Sequence, residues 1–417
     1  MRSLLKFLLG SIMCVWIIDV SAQEPEKPKI EFKPYGYVSY EIIFDSYKSV
    51  DSRDGDLYLY PLKESLDLNG KNINEKSQLQ MFSLNSRIGG KISGPNILGA
   101  KTTGMIEADF YATQNDYANL LRVRHAMINL KWEKSELILG QFWHPVVVNE
   151  VIPSNISFGA GAPFHSLNRS PQIRYIYYPS ESIRILAAAL TQAYHKSTGP
   201  TDAQRNAGLP ELITQITFGN RKSFLVGASA GYKWLQPRLI TDSTYKTTEK
   251  IGQYLFSGFV MGKINSTTIK AEVVYGENLT HLTMIGGYGM KTGTNLTADN
   301  DYEYTNLKTM STWVDIQHGI GKIGLGAFFG YSKLYGANDN YTSLEINKVK
   351  YYRSDDLNYI YRISPRISYT EENLTFAFEY MLTAAIYGKE WDAKRKVKSS
   401  MDPVYNNRIT LLAKYTF

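Results

Sequence analysis

The last ten residues of the chain, "RITLLAKYTF" at 408–417, have a clear strand pattern. Arginine, threonine and lysine fill every second position, with Leu412 as an apolar exception. The alternate positions form one apolar row, which is Ile409, Leu411, Ala413, Tyr415 and Phe417. Because successive side chains of a strand point to opposite faces, this stretch predicts a strand with hydrophobic surroundings on one side and a polar space on the other.

The same alternation recurs along the chain, for example in "GYVSYEIIF" at 36–44 and "LTFAFEYMLTA" at 374–384. Mean hydropathy is −0.27, and after the N-terminal segment no apolar run approaches the ~18 residues of a transmembrane helix. A membrane barrel has this moderate hydropathy, because its lipid-facing and lumen-facing residues alternate and cancel in any average.

Period-two alternation, aromatic and β-branched residues and turn-forming boundaries together predict sixteen strands. The even number suits an antiparallel barrel that closes on itself. The predicted strands are 31–45, 80–93, 99–112, 120–132, 136–143, 171–178, 183–192, 211–219, 223–234, 252–264, 267–277, 309–318, 322–334, 356–369, 374–387 and 408–417.

The predicted connections alternate between short turns, such as "EKSE" at 133–136, and long loops, such as 46–79. Short turns at one end and long loops at the other are typical of bacterial outer-membrane barrels, with the turns in the periplasm. We therefore predict an all-β fold, a transmembrane antiparallel up-and-down β-barrel. With sixteen strands, closure should leave an aqueous lumen rather than a packed interior.

The N-terminus has the features of a secretory signal: a basic start, the apolar stretch "FLLGSIMCVWIIDV" and the small residues Ser21 and Ala22. A membrane anchor is the alternative, but the stretch is shorter than the ~20 residues of a spanning helix. The only cysteine, Cys14, lies in this segment, so no disulfide or thiolate metal site is expected, and no cofactor. We expect a signal peptide at 1–22, a short periplasmic leader at 23–30 and a single barrel at 31–417.

In several predicted strands, charged residues occupy one set of alternate positions and apolar residues occupy the other set. Arg or Lys facing lipid at mid-depth costs about 2–4 kcal/mol, so these side chains should face the lumen or a rim, where a ring of charge sets ion preference. The alternative is that they form salt bridges that only stiffen the wall. The predicted pore-lining residues are Arg87, Glu107, Asp109, Arg122, Arg124, Arg174, Arg362 and Arg366.

The third long connection, residues 144–170, is the candidate constriction loop. It is rich in small and apolar residues that could pack compactly, and its ends lie on adjacent predicted strands. The alternative is a cap on the outer surface. With several arginines placed inward and a formal net charge of +7 for the chain, anion preference is expected.

Catalysis is not expected. The six histidines are scattered, and neither G-x-S-x-G nor H-E-x-x-H occurs in the sequence. Glu107 and Asp109 lie two residues apart on one strand face, and a lumen wall explains them better than a pair of catalytic acids.

The runs "SRIGGKISGPNILGAKTTGMIEADFYA", "LLRVRHAMINLKW" and "LILGQFWHP", all within residues 80–150, resemble the early strands of trimeric outer-membrane porins of the DcaP-like family. The resemblance implies a sixteen-stranded homotrimer whose pores admit small anionic solutes, dicarboxylates among them. It also implies that Arg122 and Arg124 line the pore, that residues 144–170 form the constriction loop, and that the outer-membrane assembly machinery recognises the strand ending at Phe417. The coiled-coil N-terminal extension of some members has no counterpart here, so barrel walls alone would hold the trimer.

The sequence thus predicts a porin in the outer membrane of a Gram-negative bacterium, for passive diffusion of small, preferentially anionic solutes. Its expected partners are outer-membrane lipid and lipopolysaccharide, these solutes and two further copies of the chain, and no nucleic acid. Two alternatives stay open: a substrate-selective anion channel of phosphate or organic-acid type, and a plugged surface receptor or adhesion barrel.

Overall fold

The computed structural model describes residues 30–112, 117, 119–292 and 301–417. The predicted signal peptide 1–22 lies outside these residues, as does the predicted leader except for its last residue.

Sixteen antiparallel strands form one closed barrel, which confirms the predicted fold and strand number. Each strand pairs with the next along the chain, and β1 also pairs with β16, so the sheet has no free edge. The strands are β1 Glu31–Asp45, β2 Gln78–Phe82 continued by Arg87–Ser93, β3 Lys101–Asp109, β4 Arg122–Lys131, β5 Ser135–Trp143, β6 Arg169–Ser180, β7 Ile183–Leu190, β8 Glu211–Asn220, β9 Phe224–Leu235, β10 Ile251–Ile264, β11 Thr267–Glu277, β12 Tyr304–Ile320, β13 Ile323–Ala337, β14 Leu357–Glu371, β15 Leu374–Trp391 and β16 Val404–Thr416.

The closing pair β1 and β16 has the alternation expected from the sequence. Val38 lies opposite Tyr415, and Ile42 lies opposite Leu411. The apolar row is on the outside, where Val38 is 58% exposed, whereas its neighbour Ser39 is 1% exposed and faces the lumen. Because an apolar outer surface of this kind suits hydrocarbon, the barrel wall has the character of a membrane-spanning sheet.

The connections alternate in length as predicted. Short turns lie at 94–100, 132–134, 181–182, 221–223, 265–266, 321–322 and 372–373, and all the long connections lie at the opposite end. Short helices occur in the long connections at Asn149–Val151, Ala203–Ala207 and Leu279–Leu282. Among the described residues, no helix combines the length and apolar character needed to cross a bilayer.

The largest apolar cluster lies inside the barrel. The first long connection, which carries the hairpin Ser49–Ser52 and Leu57–Pro61, and the third, residues 144–168, enter the lumen. Leu59 and Phe164 from these connections pack with inward-facing wall residues such as Trp313 and Phe328. The sequence predicted an aqueous lumen, and this expectation was wrong in part, because the two inserted segments bring an apolar core with them.

Arg362 on β14 holds both inserted segments. Its guanidinium donates to the carbonyl oxygens of Ala162 and Leu59, each at 2.7 Å, and to the hydroxyl of Thr383 at 2.9 Å. The Tyr58 ring lies 4.8 Å from the same guanidinium. A single buried cation therefore satisfies carbonyl groups of two loops that would otherwise lie in the lumen without partners.

Arg362→Met should lower the free energy of unfolding by about 3 kcal/mol, because it leaves two buried carbonyl groups without donors. Unfolding in urea, followed by tryptophan fluorescence in lipid vesicles, measures the change. Arg205→Met is the matched control, since Arg205 is exposed and pairs only with Asp202 at the surface. Equal stability of the two variants would contradict the anchoring role of Arg362.

Candidate functional site

Residues 144–168 cross the lumen to the wall opposite β5. Lys270 on β11 donates to the carbonyl of Ile152 at 2.7 Å, and the backbone N–H of Ser154 donates to Asp315 on β12 at 3.0 Å. The N–H groups of Ile156 and Ser157 donate to Glu379 on β15 at 2.6 and 3.0 Å. Wall side chains therefore fix the backbone of this segment at several points.

Two cavities of similar size remain beside the crossing segment. The outer cavity, about 300 Å³, lies toward the long connections, and the inner cavity, about 290 Å³, lies toward the short turns. Phe158, Leu167 and Arg169 line both cavities. These three residues therefore form the junction between the two spaces.

Five of the predicted site residues meet on β2, β3 and β4. Asp109 accepts two hydrogen bonds from Arg122, at 2.6 and 3.0 Å, and one from Arg124 at 2.8 Å. Glu107 accepts from Arg124 at 2.7 Å and lies 3.6 Å from Arg87. Because the two acids are ion-paired to three arginines, this group is a ladder of salt bridges with one excess positive charge.

A β-bulge explains how Arg124 reaches both acids. Glu107 pairs with His125 and Ala108 pairs with Val123, so Arg124 is the extra residue of β4. It is 2% exposed and lines the inner cavity, as Arg87 does, whereas Arg122 lines the outer cavity. Simple alternation predicted that the side chains of Arg122 and Arg124 point inward. Because of the bulge, the side chain of the next residue, His125, points inward as well.

The other three predicted residues lie apart from this ladder. Arg174 lines a separate small cavity on the β5 to β8 side, and Arg362 anchors the two inserted segments. Arg366 forms a bidentate ion pair with Asp315, at 2.7 and 3.0 Å. Neither Arg362 nor Arg366 lines the outer or the inner cavity, so both hold the crossing segment rather than face the remaining space.

Arg169 was missed at the sequence level. It lies on the row opposite Arg174, so alternation places it outward, yet it is 4% exposed and lines both cavities. Its guanidinium lies 4.9 Å from the Trp143 ring, and among the described residues it has no hydrogen bond or ion pair. Its position directly after the inserted segment is the signal that could have found it, because the preceding loop, rather than the strand pattern, sets its direction.

Positive charge dominates both cavities. Among the described lining residues, Asp51 is the single carboxylate, and it lies in the outer cavity. The lining cations are Arg53, Arg122, Arg169, Lys196 and Arg353 in the outer cavity, and Arg87, Arg124, Arg169 and Lys414 in the inner one. Lining cations therefore outnumber lining carboxylates in both cavities.

Two titratable loop residues, His195 and Asp51, affect the charge of the outer cavity. Burial, together with the charges of Arg169 and Arg122, holds the pKa of His195 well below its usual range, so His195 stays uncharged. Asp51 lies in the first inserted segment, and its enclosure by the barrel raises the pKa of its carboxyl. On acidification, Asp51 should therefore become neutral at a higher pH than an ordinary carboxyl, and His195 should become charged only at a lower pH than an ordinary imidazole.

His144, Glu211 and His281 are close enough to be considered as metal ligands, with donor atoms within 4.8 Å of one another. However, Nδ1 of His144 accepts from the N–H of Val146, and Lys233 Nζ lies 2.5 Å from Nδ1 of His281. Both Nε2 atoms therefore carry hydrogens, which they donate to Glu211 at 3.2 and 3.1 Å. Burial lowers the pKa of His281 to about 4. The group is a complete hydrogen-bond network that ties the start of the crossing segment to β8.

No protein-family model matches the sequence, and no curated protein sequence matches it. Among solved structures, the chain is similar to the outer membrane channel DcaP of Acinetobacter baumannii, with a TM-score of 0.68 and 16% identity over 93% of this chain and 97% of that one. It is also similar to the trimer form of OmpT, an outer membrane protein of Vibrio cholerae, with a TM-score of 0.55 and 13% identity over 93% and 99% of the two chains. An anion-selective porin from Comamonas acidovorans gives a TM-score of 0.55 and 7% identity over 93% and 100%.

These likenesses establish the fold, which is that of outer-membrane channels and porins. The resemblance of residues 80–150 to DcaP-like porins is thus confirmed at the level of the fold. A closed barrel with an apolar outer surface belongs in an outer membrane, which confirms the predicted location in a Gram-negative bacterium.

Lowering the pH from about 7.5 to about 4, the ordinary pKa of Asp, should increase the preference of the barrel for chloride over potassium, because burial raises the pKa of the Asp51 carboxyl and so favours its neutral form at acid pH. The reversal potential across a planar bilayer with a KCl gradient measures this preference. In Asp51→Asn, the chloride preference at neutral pH should equal that of the natural chain at acid pH, so most of the effect of pH on this preference should disappear. A pH response that persists in Asp51→Asn would exclude Asp51 as its source.

Proposed function

We propose that the protein is a porin through which small, preferentially anionic solutes diffuse passively across the outer membrane. The observation that carries the proposal is the position of Arg169 at the junction of two cation-lined cavities, where its buried guanidinium has no hydrogen bond or ion pair with the described residues. A hydrated anion that reaches this junction can bind this guanidinium. The anion-selective porin from Comamonas acidovorans, which has a similar fold, supports the same direction of preference.

In this proposal, residues 144–170 act as the constriction. The crossing segment reduces the lumen to two small spaces, and Phe158 and Leu167 limit the width between them while Arg169 supplies the charge. The salt-bridge ladder has a second role. Arg122 and Arg124 stay charged and correctly placed because Asp109 and Glu107 hold them, so they contribute to the field on both sides of the junction.

A second candidate is the plugged receptor or adhesion barrel, and the packed interior favours it. Leu59 and Tyr60 of the first inserted segment join Val151 and Phe164 of the third connection in one apolar cluster. A barrel with this much inserted structure could close its lumen and use its long connections for binding. Catalysis is not part of either proposal, because the inward acids on β3 are already paired with arginines.

The proposal includes a homotrimer in contact with outer-membrane lipid and lipopolysaccharide. The outer apolar rows give a surface for neighbouring copies and for lipid, and the DcaP-like resemblance and the trimer form of OmpT support this oligomer. Phe417 is 54% exposed beside the short-turn end, where its carbonyl accepts from Gly36. That position suits recognition by the assembly machinery.

Planar-bilayer recordings of the purified protein test the proposal. Discrete conductance steps with a reversal potential favouring chloride support an anion-preferring porin. Saturation of the current by one solute indicates the substrate-selective form, and the absence of conductance favours the plugged barrel and overturns the proposal.

Arg169→Gln should reduce the chloride preference several-fold, because it removes the guanidinium that lines both cavities at the junction. The readout is the permeability ratio from reversal potentials. Arg205→Gln is the matched control, since Arg205 is an exposed arginine in the connection between β7 and β8. An unchanged ratio in Arg169→Gln would place the selectivity elsewhere.

Replacing residues 150–165 with a short Gly-Ser linker should raise the single-channel conductance, because this stretch supplies most of the crossing segment. The measurement is the step size in 1 M KCl at roughly neutral pH, where salt screens surface charge over about 3 Å. A step size equal to that of the natural chain would mean that this segment does not limit the current.

A further inference from the structure

A third cavity lies outside the proposed passage. It measures about 200 Å³ and is enclosed between the start of the crossing segment, at 145–150, and the inner faces of β4 to β8. None of its lining residues lines the outer or the inner cavity. It is therefore a separate site rather than a branch of the junction at Arg169.

Two arginines without carboxylate partners face this cavity. Arg174 is 8% exposed, and its Nε donates to the Gln172 side chain at 2.9 Å while Nη2 donates to the carbonyl of Trp143. Arg184 donates through Nη2 to Gln215 at 2.9 Å, and its Nε is buried with no hydrogen-bond partner. Two guanidinium groups thus keep donors that neutral oxygens only partly satisfy.

Two acids also line this cavity, and both have partners. Glu136 accepts from Asn129 at 2.8 Å and from Tyr178 at 2.7 Å. Glu150 pairs with Arg221 at 3.1 Å. Because Arg174, Arg184 and Arg221 face these two carboxylates, the cavity keeps one excess positive charge, and an added anion would be attracted to it.

About half of the cavity wall is apolar, and the rest carries polar side chains, among them Asn129 and Gln215. Ile138, Ile176 and Leu186 project from β5, β6 and β7, and Val147 and Val148 close the cavity from the crossing segment. A free inorganic anion would leave this surface uncovered. A ligand with one anionic end and a compact apolar body matches both halves of the wall.

An entry route exists at the short-turn end. Arg184 and Arg221 also line a more open cavity formed by the turns at 181–182 and 219–222. Because the short turns of such barrels face the periplasm, a ligand would arrive from that side, past Arg221.

We propose that this cavity is a binding site for a small monocarboxylate with a compact apolar body, held by Arg174 and Arg184 through its carboxylate. An engineered cavity of roughly 150 Å³ can hold benzene, so the volume is sufficient for a branched acid of five carbons. The proposal does not depend on conduction through the barrel, and binding can be measured on protein that does not conduct.

The probe is 3-methylbutanoate, titrated into the protein in lipid nanodiscs and followed by ligand-observed NMR, with empty nanodiscs as the blank. We expect saturable binding of 3-methylbutanoate. The neutral isostere 3-methylbutanamide, and acetate, which is the carboxylate without the apolar body, should each bind at least roughly tenfold more weakly. This comparison uses the natural chain and so does not depend on a variant that folds. Absent saturation, or equal binding of acid and amide, overturns the proposal.

Variants locate the site. The double substitution Arg174→Gln with Arg184→Gln should weaken binding by at least roughly tenfold, whereas the exposed control Arg205→Gln should leave it unchanged. Loss of binding in Arg169→Gln together with full binding in the double variant would place the acid in the passage and overturn the assignment.

Discussion

Closure of the sheet is the constraint on which the rest of this structure depends. Backbone N–H and C=O groups in hydrocarbon need partners within the protein, and the pairing of β1 with β16 removes the last free edge. Once the sheet is closed, every strand has one face toward lipid and one toward the lumen. The alternation of side chains, the placement of charges and the entry of loops all follow from that division.

Charge inside such a barrel must be balanced by local partners. The inward arginines meet this requirement in three ways. Arg122 and Arg124 pair with acids on the neighbouring strand, and Arg362 donates hydrogen bonds to carbonyl groups of the inserted loops. Arg366 pairs with Asp315, which also accepts a hydrogen bond from the crossing segment. Arg169 meets none of these conditions within the described residues. Arg169 therefore differs from Arg122 and Arg124, which also line the two cavities but are held by carboxylates of the wall.

The strands were predictable because polar and apolar residues alternate over most of their length. The ladder on β3 and β4 was predictable because its charged residues occupy alternate positions, which point to the same side of the sheet. Three features were not. The bulge at Arg124 breaks the period of two, Arg169 takes its direction from the preceding loop, and the first connection enters the lumen through long-range contacts. Arg169 had a signal in its position directly after the predicted constriction loop, and the first connection had one in the apolar run "LYLYP" at 57–61, inside a stretch otherwise assigned as loop. Local patterns carry strand identity, whereas loop insertion depends on residues hundreds of positions away.

The anchoring of the inserted segments also bears on the order of assembly. Leu59 and Ala162 come early in the chain, but Arg362, Glu379 and Arg408, which hold those segments, belong to the last three strands. Contacts of such high sequence separation form late, because the loop between the partners must first be closed. A barrel that lacks its last three strands thus loses these contacts, although Lys270 and Asp315 still hold the crossing segment. The final strands complete the anchoring of the inserted segments at the same step at which they close the wall.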